Sequence, residues 1–437
     1  MEEFLARFPG IGREIFNQLD NKNLTKCKEV SRYQCKFLED DRLLWTRMIK
    51  KYNANHVEFK DAWKLVVVKV PVQIIKELAI ATEKFYTFWP ERLSSQFSPH
   101  EVAGEYGCLS LCKFIVEKTK LLNPEKPGQF TGLHFAANMG RYEVCKYFIA
   151  NLEDKNPKDE DGQTLLHCAA DEGHFEVYKL IAEQVEDKNP SGLVNRPGFT
   201  PLHDAAEKGY FDIVNYVVGI VDNKNPADDY GLTPLYHAAQ SGHIEIVQCI
   251  VQKIKDKNPR NHYGYTPLHV AAAQGHLYIY KLIAEQVDNK NPSGDNGSTP
   301  LHESVLFGHC EIARYILSVV GNENVNPRNS YGVTPLHWAA CGGHLDIYIL
   351  IAERLDDKNP STNDGHKPIH FGIHYKKYDI CKYIIDNGGD PNPKLNDGTS
   401  ALDLAVLNVQ AYPNCPTSER IRDLILQKSE ENQAPNV

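Results

Sequence analysis

The stretch Thr266-Pro267-Leu268-His269-Val270-Ala271-Ala272-Ala273-Gln274-Gly275-His276 decides the fold, because related copies of it run through most of the chain. At spacings of 33 to 36 residues, copies begin at Thr131, Thr164, Thr200, Thr233, Thr266, Thr299, Thr334, Lys367 and Ser400. A period of this length indicates stacked structural repeats that share a core, however many there are.

Each copy predicts two short helices and a turn. Thr266 can cap a helix start, and Pro267 fits the first turn, where its missing N–H costs nothing. Gly275 can end this inner helix in the left-handed conformation. Helical spacing then gives an outer helix with an apolar stripe of Ile279, Leu282 and Ile283. Pro292 is expected to stop this helix. Asp295-Asn296-Gly297 is a turn signal and is expected at a protruding hairpin tip.

The period and the residues of these copies resemble ankyrin repeats. The resemblance implies an all-α chain in which residues 98–428 form an α-solenoid of about ten repeats with β-hairpin tips. The first and last copies are degenerate, as expected of terminal repeats that need a polar outer face. Residues 429–437 are predicted to be a disordered tail.

Residues 1–52 do not follow the repeat and resemble the F-box, a three-helix module. The resemblance is carried by Pro9, Leu19-Asp20, Val30-Ser31-Arg32, Asp40-Asp41 and Leu44-Trp45, although the opening is one residue short and lacks the usual glutamate. It implies docking to the Skp-type adaptor of a cullin–RING ubiquitin ligase through Pro9, Ile11, Ile15, Leu19, Leu24 and Val30. The alternative is a three-helix cap with the same residues facing inward. Residues 53–97 are predicted to be a helical connector.

Composition narrows the class of protein. The net charge is −9, so no basic field for nucleic acid or an anionic membrane is present. The eleven cysteines include no CxxC pair, which indicates reduced thiols and a cytoplasmic or nuclear protein. No signal peptide is recognised, and the most apolar run, residues 65–75, is too short to span a bilayer.

No catalytic motif is found, so the chain is predicted not to be an enzyme and to need no cofactor or metal. The histidines recur at fixed repeat positions, as at His269 and His276, which favours structural roles over metal binding. An Asp-Lys-Asn-Pro loop also recurs, as at residues 256–259. It is interpreted as a solvated helix stop; the alternative is a basic ladder for an acidic ligand.

Positions that vary between copies are the candidates for binding a protein target. Leu306 and Phe307 put large apolar groups before the turn glycine, where other copies have polar ones. With Tyr263, Tyr265 and Tyr331 they could form an aromatic hot spot. Trp338 is assigned to the core. Earlier in the array, a basic partner segment is suggested by Asp171, Glu172 and Glu207.

Together these features predict a substrate-recognition subunit of a Skp–cullin–F-box type ubiquitin ligase, monomeric outside that complex. The F-box would dock the adaptor, and the ankyrin repeats would bind a protein target that the sequence does not identify. The alternative is a ligase-independent scaffold whose repeats tether or mask a partner protein.

Overall fold

The computed structural model describes Gly104, Leu109, Cys112, Lys113 and residues 131–321 and 325–433. Within these residues it contains eighteen helices and no strand. The chain divides into two units, one ending at Pro201 and the other beginning at Leu202. The F-box-like module of residues 1–52, with its predicted adaptor contacts, lies outside the described residues, as do the connector of residues 53–97 and most of the first repeat.

In its described residues, the first unit contains two complete helix pairs. Its helices are α1 (Gly132–Asn138), α2 (Tyr142–Asn151), α3 (Leu165–Asp171) and α4 (Phe175–Ala182). The inner helices α1 and α3 pack together, and so do the outer helices α2 and α4. Leu133, Cys145, Leu166 and Ile181 are fully buried between them. This is the two-helix unit that the 33-residue period predicts.

The second unit repeats the same pair seven times. Its inner helices are α5 (Pro201–Lys208, which begins at the boundary), α7 (Pro234–Ser241), α9 (Pro267–Ala273), α11 (Pro300–Leu306), α13 (Pro335–Gly342), α15 (Pro368–His374) and α17 (Ala401–Ala411). Its outer helices are α6 (Phe211–Ile220), α8 (Ile244–Lys253), α10 (Leu277–Ala284), α12 (Cys310–Val319), α14 (Leu345–Ala352), α16 (Tyr378–Asp386) and α18 (Pro416–Gln433). From α7 onward, each inner helix packs on the next inner helix, and the outer helices form a second layer in the same order.

Small residues set the spacing of the inner layer. Ala271 and Ala272 are fully buried, because one inner helix lies close against the next. The outer helices contribute larger buried side chains, such as Ile279 and Ile283 of α10. Full burial of one such isoleucine contributes about 1.5–3 kcal/mol. The pattern of two alanines followed by an isoleucine stripe thus encodes the two layers.

The predicted β-hairpin tips contain no strands among the described residues; they are turns, two of which carry an isolated antiparallel bridge, between Lys158 and Thr164 and between Lys394 and Ser400. Asn261 N–H donates to Tyr265 O (2.8 Å), and Asn261 Oδ1 accepts from the N–H groups of Tyr263 and Tyr265 (both 2.9 Å). The asparagine side chain therefore closes the turn by accepting hydrogen bonds from two backbone N–H groups. Thr266 follows at once and starts a helix, so no ladder of strand bonds can form.

The ends of the helices also differ from two expectations. The outer helix α10 ends at Ala284, well before Pro292, so the proline does not stop it. The final helix α18 continues to Gln433, into the segment of residues 429–437 that is predicted to be a tail. The left-handed turn at Gly275 is confirmed, with φ of +79°. Lys376 adopts the same conformation at φ of +60° in the eighth copy, where the glycine is missing.

Candidate protein-interaction surface

The histidine at the fourth position of the repeat is a structural bridge. Thr266 N–H donates to His269 Nδ1 (3.1 Å), while His269 Nε2 lies 3.2 Å from Ser298 O in the loop before the next copy. The backbone N–H can only donate, so Nδ1 must carry no proton and Nε2 must carry one. The ring is thereby fixed as one neutral tautomer and tied to both copies.

Burial reinforces the neutral state of these rings. It lowers the pKa of His167, His269, His302 and His337 to about 4. It also lowers the pKa of His134 and His370, which make the same pair of contacts. A proton on Nδ1 would remove the acceptor of the threonine N–H. These histidines therefore belong to the framework of the repeat.

The second histidine series also joins neighbouring copies. His276 Nε2 lies 3.1 Å from Gln240 O, and His309 Nε2 lies 2.9 Å from Ala273 O, so each ring satisfies a carbonyl near the end of the preceding inner helix. The turn glycine makes room for it. A Cβ on Gly275 would lie 2.7 Å from the ring of His309. Both the backbone angle and the neighbouring ring therefore require glycine there.

The recurrent Asp-Lys-Asn-Pro loop caps two helices, the end of one and the start of the next. Asp256 Oδ1 accepts from Asn258 N–H (3.0 Å), which forms a tight turn. Lys257 Nζ donates to the Val251 and Ile254 carbonyls at the end of α8. Asn258 Oδ1 accepts from Leu268 N–H (3.1 Å) in the first turn of α9. The lysine thus neutralises one helix end, which favours a structural role over a basic ladder.

The ends of the inner helices in the second unit change character along the chain. Gln240 and Ser241 end α7 with exposed polar side chains, whereas Leu306 and Phe307 end α11. Phe307 is 56% exposed. We call Leu306, Phe307, Trp338, Phe371 and Tyr375 the apolar row. They lie on three consecutive inner helices that pack side by side, or directly after them.

Ring contacts link two members of the apolar row. Trp338 and Phe371 meet edge to face, with centroids 6.2 Å apart, and Phe371 also contacts the rings of His337 (5.2 Å) and His366 (6.0 Å). Trp338 is partly exposed, so its assignment to the core is wrong in part. The reason is that its repeat position faces a neighbouring inner helix and leaves one edge of the ring open.

The three predicted tyrosines occupy two different environments. Tyr263 and Tyr331 lie at turn tips and are 64% and 68% exposed. Tyr265 lies at the base of its turn, where its hydroxyl donates to Glu303 Oε1 (3.1 Å) and accepts from Asn296 Nδ2 (3.4 Å). Tyr265 is therefore held by the protein itself, and the other two are free at the tips to meet a partner.

The predicted acidic residues lie at the ends of inner helices. Asp171 ends α3 in the first unit, and exposed Glu172 follows it. Glu207 lies in α5 of the second unit, where its main-chain carbonyl oxygen lies 3.0 Å from His243 Nε2. Their proposed preference for a basic partner segment stays a prediction.

Two further features bear on the class of protein. Among the residues that the structure describes, no three His, Cys, Asp or Glu side chains gather in a way that could hold a metal ion. In the same part of the chain, no helix is both long and apolar enough to cross a membrane.

Paired helices, bridging histidines and glycine turns define a helical repeat protein. A family model described as ankyrin repeats (3 copies) matches residues 100–191, 133–228, 202–293, 243–329, 279–362 and 319–395. These matches together cover more than half of the chain, which therefore belongs to the ankyrin-repeat family. They all begin after the F-box-like residues 1–52. No curated protein matched the chain.

Proposed function

We propose that this protein is a non-catalytic substrate receptor of a cullin–RING ubiquitin ligase, whose ankyrin repeats bind a protein target on the apolar row. Ankyrin repeats are protein-interaction modules, so the family itself implies a protein partner. The observation that carries the site is the exposure of Phe307 at the end of α11, together with the partly exposed pair of Trp338 and Phe371 on the next two inner helices. Exposed aromatic groups set among polar neighbours are typical of binding hot spots.

The ligase assignment rests on the sequence of residues 1–52. Its order of matches, from Pro9 through Leu19-Asp20 to Leu44-Trp45, resembles the F-box. A domain of this size buries little core alone, and a Skp-type adaptor would complete the burial. The receptor itself would do no covalent chemistry. By holding a target lysine close to a ubiquitin-loaded enzyme it would remove an entropic cost of the transfer.

The site is tested by proximity labelling in cells treated with a proteasome inhibitor. We compare the unmodified chain with Phe307→Asp and with the control Tyr278→Asp, which changes a 74% exposed tyrosine on outer helix α10. Targets should be labelled by the unmodified chain and by the control, and lost with Phe307→Asp. Equal labelling by all three would contradict the proposed site.

The adaptor is tested by pull-down with a purified Skp-type adaptor. The intact chain should bind, and a Pro9→Ala, Leu19→Asp double variant should not. An intact chain that fails to bind the adaptor would rule out the ligase assignment. The Phe307→Asp variant is the matched control, because it should keep the adaptor and lose only the target.

A second candidate is a ligase-independent scaffold that tethers or masks its partner. It is favoured by the family matches, which begin at residue 100 and leave the first 52 residues unassigned. Removing residues 1–52 separates the two functions. A scaffold would keep its effect on the partner, whereas a ligase receptor would still bind the target but no longer shorten its half-life.

A further inference from the structure

Glu303 is an acidic residue at a repeat position that is apolar in the two adjacent copies. It holds the fifth position of the repeat on α11, where the neighbouring copies have Val270 and Trp338. It precedes Phe307 by four residues, so both side chains lie on the same face of the chain, one helical turn apart. Glu303 therefore borders the apolar row.

Two polar side chains form a chain of hydrogen bonds that ends on this carboxylate. Tyr265 donates its hydroxyl to Glu303 Oε1 (3.1 Å), and Asn296 Nδ2 donates to the Tyr265 oxygen (3.4 Å). Burial, with smaller contributions from Tyr265 and Glu303, raises the pKa of Tyr236 to about 12. The copies that bear these residues follow one another in the chain, so the cluster is built across repeat boundaries.

The charge of Glu303 is poorly compensated within the chain. Its side chain is partly buried, and burial raises its pKa. Among the described residues, no lysine or arginine forms an ion pair with it. A carboxylate removed from water with one hydrogen bond costs free energy, and a cation would offset that cost.

We propose that Glu303 and Tyr265 form a subsite for a lysine or arginine side chain of the protein target. The cation would pair with the carboxylate and donate a further hydrogen bond to the phenol oxygen of Tyr265. This inference rests on the proposed function, since it describes a part of the same surface. The subsite would favour targets that carry a basic residue next to the residue that contacts the apolar row.

The spacing of the subsite constrains the target. The β-carbons of Glu303 and Phe307, four apart on a helix, are about 5–6 Å apart. A target would match them with a basic and a large apolar side chain at a similar separation. Positions i and i+4 of a helix provide this spacing, and so do positions i and i+2 of an extended segment, which are about 6.6 Å apart.

The probe is a displayed library of random twelve-residue peptides, selected on the full-length protein. Enriched peptides should combine a lysine or arginine with a large apolar residue at one of these spacings. A synthetic peptide of the enriched sequence should bind Glu303→Gln about tenfold more weakly or worse, since the isosteric amide keeps the shape and removes the charge. Its binding to the unmodified chain should also weaken as salt is added.

The control is Glu245→Gln, which removes the same charge from an exposed position on outer helix α8 and should leave the affinity unchanged. Tyr265→Phe is a second test of the subsite and should weaken binding without changing the net charge. Peptides that need Phe307 but bind Glu303→Gln normally, without salt dependence, would overturn the inference and leave the proposed function standing. Peptides insensitive to Phe307→Ala would count against the proposed surface itself. A library that yields no binder sensitive to Glu303→Gln also overturns the inference.

Discussion

Asn258 and Leu268 are ten residues apart in the chain and are joined by a hydrogen bond from Leu268 N–H to Asn258 Oδ1 (3.1 Å). The same bond recurs at other copies, where it joins Asn156 to Leu166, Asn225 to Leu235, Asn291 to Leu301, Asn326 to Leu336 and Asn392 to Leu402. The loop that closes one repeat therefore supplies a cap for the next inner helix.

This cap predicts the effect of one substitution. Asn258→Ala should lower the free energy of unfolding by about 1–2 kcal/mol, because the Leu268 N–H in the first turn of α9 loses its acceptor. Asn258→Asp keeps an acceptor oxygen at a helix N-terminus and should be close to neutral. Urea unfolding of the two variants measures the difference. Equal losses would show that the acceptor does not matter.

Acidification should destabilise the fold through the bridging histidines. Their folded-state pKa of about 4 lies below the unfolded value of 6.5, so the unfolded chain binds protons first. The stability that these rings contribute is complete above pH 6.5 and declines as the pH falls toward 4. At pH 5 the loss is about 2 kcal/mol for each ring.

Melting temperature measured between pH 7.5 and 4.5 tests this linkage. His269→Gln should be less stable than the unmodified chain at pH 7.5, because it loses the two bridging contacts. It should also lose less stability on acidification, since one proton-binding group is gone. An unchanged pH slope in His269→Gln would contradict the assignment of the effect to these rings.

Gly275 should tolerate no side chain. Gly275→Ala would force a left-handed residue at φ of +79° and place a Cβ 2.7 Å from the ring of His309. We expect a loss of about 2–3 kcal/mol, from backbone strain and the disturbed bond between His309 and Ala273.

The matched control for this change is Gly219→Ala, within helix α6. An added Cβ at Gly219 meets nothing within 4 Å, and its φ is not left-handed. This variant should gain about 0.5–1 kcal/mol, because glycine is a poor helix residue. Thermal unfolding of the two variants should move in opposite directions; a shared direction would refute the argument.

Cys415 should be the most reactive of the eight cysteines that the structure describes. The nearby side chain and main-chain N–H of Ser418 hold the pKa of its thiol below the usual value. Burial instead raises the pKa of Cys145 and Cys381 to about 12. Brief treatment with iodoacetamide at pH 7.5, followed by peptide mass spectrometry, should find Cys415 labelled first.

Ser418→Ala provides the control for this reactivity. It removes the largest cause of the lowered pKa, so the pH midpoint for alkylation of Cys415 should rise. If Cys310, whose pKa is raised, is labelled as fast as Cys415 at pH 7.5, the prediction fails.

Much of the fold follows from local residue chemistry. The left-handed turn at Gly275 and the buried alanine pair at Ala271 and Ala272 lie at fixed positions of the repeat. Their pattern is therefore visible in the sequence. The end of α10 at Ala284 was harder to place, since several residues before Pro292 remain compatible with a helix. The turns at the tips were predicted from Asp295-Asn296-Gly297, but the hydrogen bonds that the Asn261 side chain makes within its turn were not.

The surface was less predictable than the fold. Leu306 and Phe307 stand out by comparison with other copies, but the ring contact between Trp338 and Phe371 depends on how inner helices pack. The sequence predicts Tyr265 at an exposed tip, but its hydroxyl donates a hydrogen bond to Glu303, 38 residues away. No local pattern reveals a contact over that separation. Once the repeat is known, however, Glu303 is visible as the acidic substitute for Val270 and Trp338.

The second histidine series has a consequence for how the chain can change in length. His243 to Glu207, His276 to Gln240 and His309 to Ala273 each span 36 residues and join equivalent positions. Loss or duplication of one whole copy in the second unit would therefore present each ring with a carbonyl of the same kind. A change of a few residues would misalign donors and acceptors at that boundary. Evolution can thus lengthen or shorten this part of the molecule one copy at a time while the bonding pattern is kept.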